Sequence, residues 1–191
     1  VPHGGSDCPP ELTERTRLLD RDVFEDSDAF TDRIYDLEGR VAHAEIARIA
    51  RAFVEVNRSP DDLPPANPDG VIKSATDHDI PVYEPGDEPT PALIGTLLAR
   101  YHRPYHDALA EAAGSGDIVA GLDCHSMEPY PPPIAPDSDA ARPTFCLSNA
   151  RGATCPDDVL HSLGDAIADA FGVQRDEIAH NRPFEGGWII R

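Results

Sequence analysis

The chain has 191 residues, 40% of them hydrophobic, and a formal net charge of −19 from 16 basic and 35 acidic side chains. That is one domain's worth of chain with enough apolar content for a packed core, which excludes wholesale disorder. The charge excludes nucleic acid and anionic membrane surfaces as partners, because the phosphate term would be repulsive, and no apolar run is long enough to span a bilayer.

Taken in chain order, the first periodic segment is Asp28 to Leu37. Ser27 or Asp26 would cap a helix there, with Phe30, Ile34 and Leu37 on one face. Ala52 to Val56 reads as a strand, followed by a Pro-rich loop from Ser59 to Gly70. Thr90-Pro91 is a cap followed by Pro at the first helical position. It opens a helix with Leu93, Ile94, Leu97, Leu98 and Tyr101 at 3–4 spacing. Pro104 should kink or break that helix, and Tyr105 to Ala113 continues it to Gly114. Ile118-Val119-Ala120-Gly121-Leu122, within Asp117 to Asp123, is the short apolar run of a strand buried on both faces. A second Pro-rich loop runs from Glu128 to Pro143, and Thr144 to Leu147 is a further strand. Pro156 to Phe171 is an amphipathic helix through Val159, Leu160, Leu163, Ile167 and Phe171, stopped by Gly172. Trp188-Ile189-Ile190 reads as the start of a strand. The alternation predicts an α/β sandwich with a mixed, largely parallel sheet.

Fifteen of the basic residues are Arg, and the other is Lys73. Asp-rich, Lys-poor acidity reads as the proteome signature of a salt-loving organism, or as an acidic protein from a GC-rich genome. No basic segment followed by an apolar one opens the chain, so the expected location is the cytoplasm. The four cysteines, Cys8, Cys124, Cys146 and Cys155, form no CxxC pair. That argues against a thiolate zinc site and for reduced thiols, although Cys146 and Cys155 are spaced to allow pairing.

Six short blocks carry chemistry-bearing residues. In Pro2-His3-Gly4-Gly5, two glycines let backbone approach closely beside an imidazole. Asp123-Cys124-His125-Ser126 follows the apolar run, and ligands in open α/β sheets bind beyond the carboxyl ends of strands. There His125 reads as a metal ligand oriented by Asp123, or as a locally bonded residue at a strand end. Glu25-Asp26-Ser27-Asp28 is a cluster of carboxylates at a helix start. It reads as capping, or as the oxygen donor of a His₂–carboxylate metal site completed by His3 and His125. Asn57-Arg58 suits bidentate recognition of a carboxylate, or a surface ion pair. Tyr101 to His106 is dense in His and Tyr. It reads as a site, or as a helix packing its aromatics with its histidines exposed. Asn181-Arg182-Pro183-Phe184-Glu185-Gly186-Gly187 offers Glu185 as a general base, or as one more acidic loop residue. No P-loop, GxGxxG, GxSxG or HExxH occurs.

In this order the blocks resemble the N-formylglutamate amidohydrolase family over nearly the whole chain. They are Pro2-His3-Gly4-Gly5, Ser27 to Asp32, Val54-Glu55-Val56-Asn57-Arg58, Arg103-Pro104-Tyr105-His106, Asp123 to Met127, and Asn181 to Gly187. The resemblance implies a single domain over residues 1–191, a three-layer α/β/α sandwich of the phosphorylase/hydrolase-like kind shared with zinc carboxypeptidases. It implies one zinc ion on His3, Asp28 and His125, with Glu11 or Asp26 as alternatives to Asp28. It also implies a substrate carboxylate on Asn57 and Arg58.

The implied activity is zinc-dependent removal of the formyl group from N-formyl-L-glutamate, giving formate and L-glutamate in histidine degradation. Two departures are His3-Gly4-Gly5 where the family often has His-Ser-Gly, and Glu55 where it has an Asp-like residue. Family members also continue past the Gly-Gly block into a strand with a Gln-x-Glu motif. The chain is therefore expected to be cut short at both ends, with the general base beyond Arg191 and Glu185 as the candidate within it. The rival readings are a related metal-dependent N-acyl amino acid deacylase or carboxypeptidase-like hydrolase, and a degenerate binding domain that has lost the base. Each of the enzyme readings takes a small-molecule N-acyl amino acid.

Overall fold

The computed structural model describes residues 1–37, 39–132, 135 and 141–191. The Pro-rich loop expected from Glu128 to Pro143 lies partly outside the described residues. The chain forms two compact units, Val1–Met127 and Glu128–Arg191.

In the first unit, α1 (Asp20–Glu25) and α2 (Thr31–Ile34) precede the core segments, and α3 (Pro91–Leu97), a π-helical turn (Leu98–His102) and α4 (Arg103–Gly114) follow them. The core gathers Leu12, Phe53, Val54, Val71, Val82 and Leu97 among others. Residues 52–57 and 71–73 are all buried, and the Glu55 N–H donates to the Val71 carbonyl at 2.9 Å. The segment Ala52 to Val56, expected as a strand, is buried but does not take that conformation. The N–H groups of Phe53 and Val54 both bend back to the Ala50 carbonyl, at 3.0 and 3.2 Å, and make a turn instead of a ladder. Pairing in this unit is limited, among the described residues, to isolated bridges such as Asp7 with Ile49.

The helix expected over Asp28 to Leu37 is only α2. The Asp28 N–H donates to the His3 carbonyl at 3.2 Å, and Phe30 sits in the left-handed region at φ 62°. Asp28 is thereby drawn out of the helix, and Phe30 and Ile34 are exposed instead of joining the core. The Thr90 cap is as expected, its side chain accepting from Leu93 N with Pro91 at the helix start. Pro104 does not break the long helix. The preceding π turn absorbs it, with the Arg103 N–H reaching the Leu98 carbonyl.

The run Ile118 to Leu122 is the clearest correction. It forms no strand, and Val119 is 101% exposed. A strand buried on both faces needs ladders on both edges, and no described residue pairs with it.

The second unit is a β–α–β arrangement. β1 (Phe145–Leu147), expected from the sequence, leads to α5 (Asp157–Phe171) and then to β2 (Ile178–His180). The strands pair in parallel, Phe145 with Ile178 and Leu147 with His180. β2 was not anticipated, and Trp188 to Ile190 forms a turn instead of the expected strand. α5 ends as expected at a left-handed Gly172, φ 69°. Its buried stripe, however, is Leu160, Gly164 and Ala168, while Val159 and Phe171 are exposed. Gly164 provides the reason: a Cβ there would come within 3.2 Å of His180 Nε2, so the helix seats on the sheet through its smallest residue. The fold is thus mixed α/β with a parallel sheet.

Candidate metal centre

His3, Asp28 and His125 come together in the first unit, with one ligand atom from each lying within 4.8 Å of the others. His3 is placed by the amino-terminal segment. The Ala47 N–H donates to the Val1 carbonyl at 3.0 Å and holds this segment in place. Gly5 is needed for this course, because a Cβ would collide with the Arg48 carbonyl. The close backbone approach anticipated for the Gly-Gly pair is to the chain's own backbone.

Each imidazole turns Nδ1 toward Asp28 and Nε2 toward another carboxylate. His3 Nδ1 lies 3.4 Å from Asp28 Oδ1, and its Nε2 is 2.6 Å from Glu55 Oε1. His125 Nδ1 lies 2.8 Å from Asp28 Oδ2, and its Nε2 is 3.1 Å from Asp123 Oδ2. The two rings meet edge to face with centroids 4.7 Å apart. Glu55 is fixed in turn by the Asn57 N–H at 2.9 Å and by Arg51, whose Nε lies 2.7 Å from Oε2 as an ion pair without hydrogen-bond alignment.

The electrostatics follow from this packing. Burial pushes the Asp28 carboxyl up, but the hydrogen bond from His125 and the His3 ring beside it outweigh that and hold the group well below the carboxylate range. Burial disfavours a charged His125, yet its bonds to Asp123 and Asp28 win and push its pKa up to about 10. Burial would also raise Glu55, but the Arg51 charge and His3 hold it far down.

This arrangement fits a divalent cation. His3 Nδ1 is buried and has no hydrogen-bond partner, so a ring nitrogen faces the cluster unsatisfied. With an ion bound, the carboxylates at both Nε2 atoms would keep the proton there and free each Nδ1 for the metal, the outer-shell pattern that orients metal-bound histidines. Two imidazoles and one carboxylate are a donor set suited to zinc with an open coordination position.

The other expected residues are placed as follows. Asn57 Nδ2 lies 3.4 Å from both Asp123 Oδ2 and His125 Nε2, beside the cluster. Arg58 is bound to Asp69 through Nε and Nη2. Glu11 is engaged by Tyr101 and Arg100, and Asp26 by Lys73 and the Asp77 N–H. His102 and His106 are not exposed at a helix surface. Their Nε2 atoms contact the carbonyls of Arg58 and Val56 at 2.9 and 2.8 Å, bracing the segment that carries Asn57. Glu185 lies in the second unit, ion-paired with Arg151, whose hydrogen bond holds its carboxyl below the usual range. Asn181 pairs its side chain with Asn149 at 2.9 Å. All four cysteines are free, and no helix among the described residues is long and apolar enough to cross a membrane.

Sequence reasoning missed Arg51, Asp69 and Asp77. Asp69 and Asp77 hold Lys73, whose ammonium lies 2.7 Å from each and 3.1 Å from Asp26, and Arg51 lies 3.6 Å from the same Asp77. A signal was present, because Lys73 is the sole lysine in an otherwise all-Arg basic set.

The family model for N-formylglutamate amidohydrolase matches residues 1–191. Among solved structures, the chain is similar to N-formylglutamate amidohydrolase from Ralstonia eutropha JMP134. The identity is 24% and the TM-score 0.75, covering 100% of this chain and 73% of that one. At that identity the likeness speaks for the fold. No curated protein matches the chain.

Proposed function

The chain belongs to the N-formylglutamate amidohydrolase family, and from that premise we propose that it is a zinc-dependent hydrolase cleaving N-formyl-L-glutamate to formate and L-glutamate. The fold we assign to the whole enzyme is the three-layer α/β/α sandwich. The observation that carries the reading is the His3–Asp28–His125 cluster, with a carboxylate behind each imidazole.

In this mechanism His3 and His125 offer Nδ1, and Asp28 an oxygen, to the ion. When bound, zinc supplies Lewis acidity toward the formyl carbonyl and toward water. Glu55 and Asp123 hold the rings in the ligating tautomer. Arg58 receives the substrate's α-carboxylate through its guanidinium, and the Asn57 amide adds a hydrogen bond beside the cluster. Together these groups fix the formyl amide by its two ends, which is the entropic part of catalysis. Water adds to the formyl carbon, the C–N bond breaks, and the amine leaves with a proton. In the same reading the enzyme is cytoplasmic and works in histidine degradation.

The test is formate release from N-formyl-L-glutamate in high salt, before and after chelation and zinc add-back. Activity lost on chelation and restored by zinc is the expected result. Metal-loaded, folded protein that releases no formate but hydrolyses acetyl or larger acyl amino acids would overturn the substrate. Folded protein that binds no metal would overturn the zinc mechanism.

A further inference from the structure

We infer that Asp69, anchored by Lys73, is the positioning residue that presents Arg58 to a substrate carboxylate, an inference that rests on Arg58 being the substrate anchor. The side chain of Arg58 is gripped at two points by this one residue. Its Nε donates to the Asp69 carbonyl at 3.0 Å and its Nη2 to the Asp69 carboxylate at 2.5 Å. Two bonds from one side fix the plane of the guanidinium. They consume the Nε edge, and the Nη1 donors are used by no contact among the described residues. The edge formed by Nη1 and the remaining Nη2 hydrogen is the one that matches a carboxylate in a bidentate pair. Arg58 is 36% exposed, enough for a ligand to reach that edge.

Asp69 is itself immobilised. Its second oxygen lies 2.7 Å from Lys73 Nζ, and its N–H donates to Asn67 Oδ1 at 3.1 Å. Lys73 is 0% exposed and is also held by Asp26 and Asp77. The loop closes tightly on Asp69 because Gly70 lets the Asp62 carbonyl approach where a Cβ would collide. An ion pair at a protein surface normally holds little, because both side chains remain free to move. Here one partner is locked into buried charge, so Arg58 is held in place before a ligand arrives. Lys73 also shares the charge of Asp69, so the carboxylate does not fully neutralise Arg58.

The experiment compares the parent chain with Asp69→Asn, Asp69→Glu and Arg58→Met. Binding of N-formyl-L-glutamate is measured by calorimetry on chelated protein, and formate-release kinetics after zinc add-back. Arg58→Met should weaken binding by roughly 30-fold or more, and Asp69→Asn by about 5–10-fold, the range for losing a pre-organised charged contact. In Asp69→Asn the loss should fall on KM, with kcat nearly constant. N-formylmethylamine, which has no carboxylate, should be turned over alike by the parent and Asp69→Asn. Asp69→Glu, which keeps the charge, should recover part of the affinity. The folded fraction of each variant is matched by circular dichroism, since Asp69 also partners a buried lysine.

Unchanged binding in Asp69→Asn beside weakened binding in Arg58→Met overturns the positioning role and leaves the anchor intact. An equal loss for both substrates also overturns it, as a general structural effect. Parent-like binding in Arg58→Met overturns the anchor, and with it this inference. A parent that binds zinc but not N-formyl-L-glutamate overturns the substrate assignment and the inference together.

Discussion

His125 joins two carboxylates at once, and the consequence can be measured. Its pKa in the folded, metal-free chain is pushed up to about 10, above the ordinary value of 6.5. A raised pKa contributes stability that is fully present below the unfolded value and lost as pH rises through the folded one. Chelated protein should therefore lose unfolding free energy between about pH 6.5 and 10, read from denaturant midpoints, with the loss discounted because the ring is about a third exposed. Metal must displace the same proton, so zinc affinity measured against a competing chelator should rise with pH over that window. His125→Ala should abolish both zinc binding and formate release, and full activity in that variant would end the site assignment. Glu55→Gln should lower zinc affinity by about 10–100-fold, the usual cost of losing a ligand's outer partner.

At the scale of elements, the informative comparison is between helices and strands. The cap at Thr90, the Pro at the helix start and the glycine stop of α5 all appear where local chemistry places them, because each depends on a few adjacent residues. Thr90→Ala should cost about 1 kcal/mol of stability in denaturant titration and leave zinc affinity unchanged. The strands behave otherwise. The apolar run Ile118 to Leu122 forms no strand, while the unanticipated segment Ile178 to His180 does, since a strand exists only where a partner offers a ladder. Phe53 shows the same point from the inside. It is a core residue reached by a turn, and Phe53→Ala should cost about 3–5 kcal/mol by leaving a cavity, visible as a large fall in the unfolding midpoint.

At the scale of the whole molecule, the charge of −19 is the dominant long-range term. Raising salt from about 0.1 to 1 M shortens the screening length from about 10 to about 3 Å. Self-repulsion among surface carboxylates then falls, while the buried pairs around Lys73 and Arg51 are little affected. The unfolding temperature should rise with sodium chloride over that range, and a flat or falling curve would show that self-repulsion does not limit stability. The family assignment is a whole-chain property too. No single block is distinctive, and membership rests on their order from Pro2 to Gly187.

By itself the sequence determined the family, the donor types of the candidate metal site and the capped ends of the helices at Thr90 and Gly172, because these depend on residue identity, order and local spacing. His3, Asp28, His125 and the supporting Asp123 were all legible as residues with the right chemistry. Only the tertiary structure decided that Asp28, and not Glu11 or Asp26, faces the two imidazoles, since the rivals are drawn away by Arg100, Tyr101 and Lys73. It alone joined Arg51 to Glu55, and Lys73 through Asp69 to Arg58. Such buried pairs form between residues distant in sequence or turned together by loops. A charge's partner is set by distance in space and by the exclusion of water, and neither is written in the order of residues along the chain.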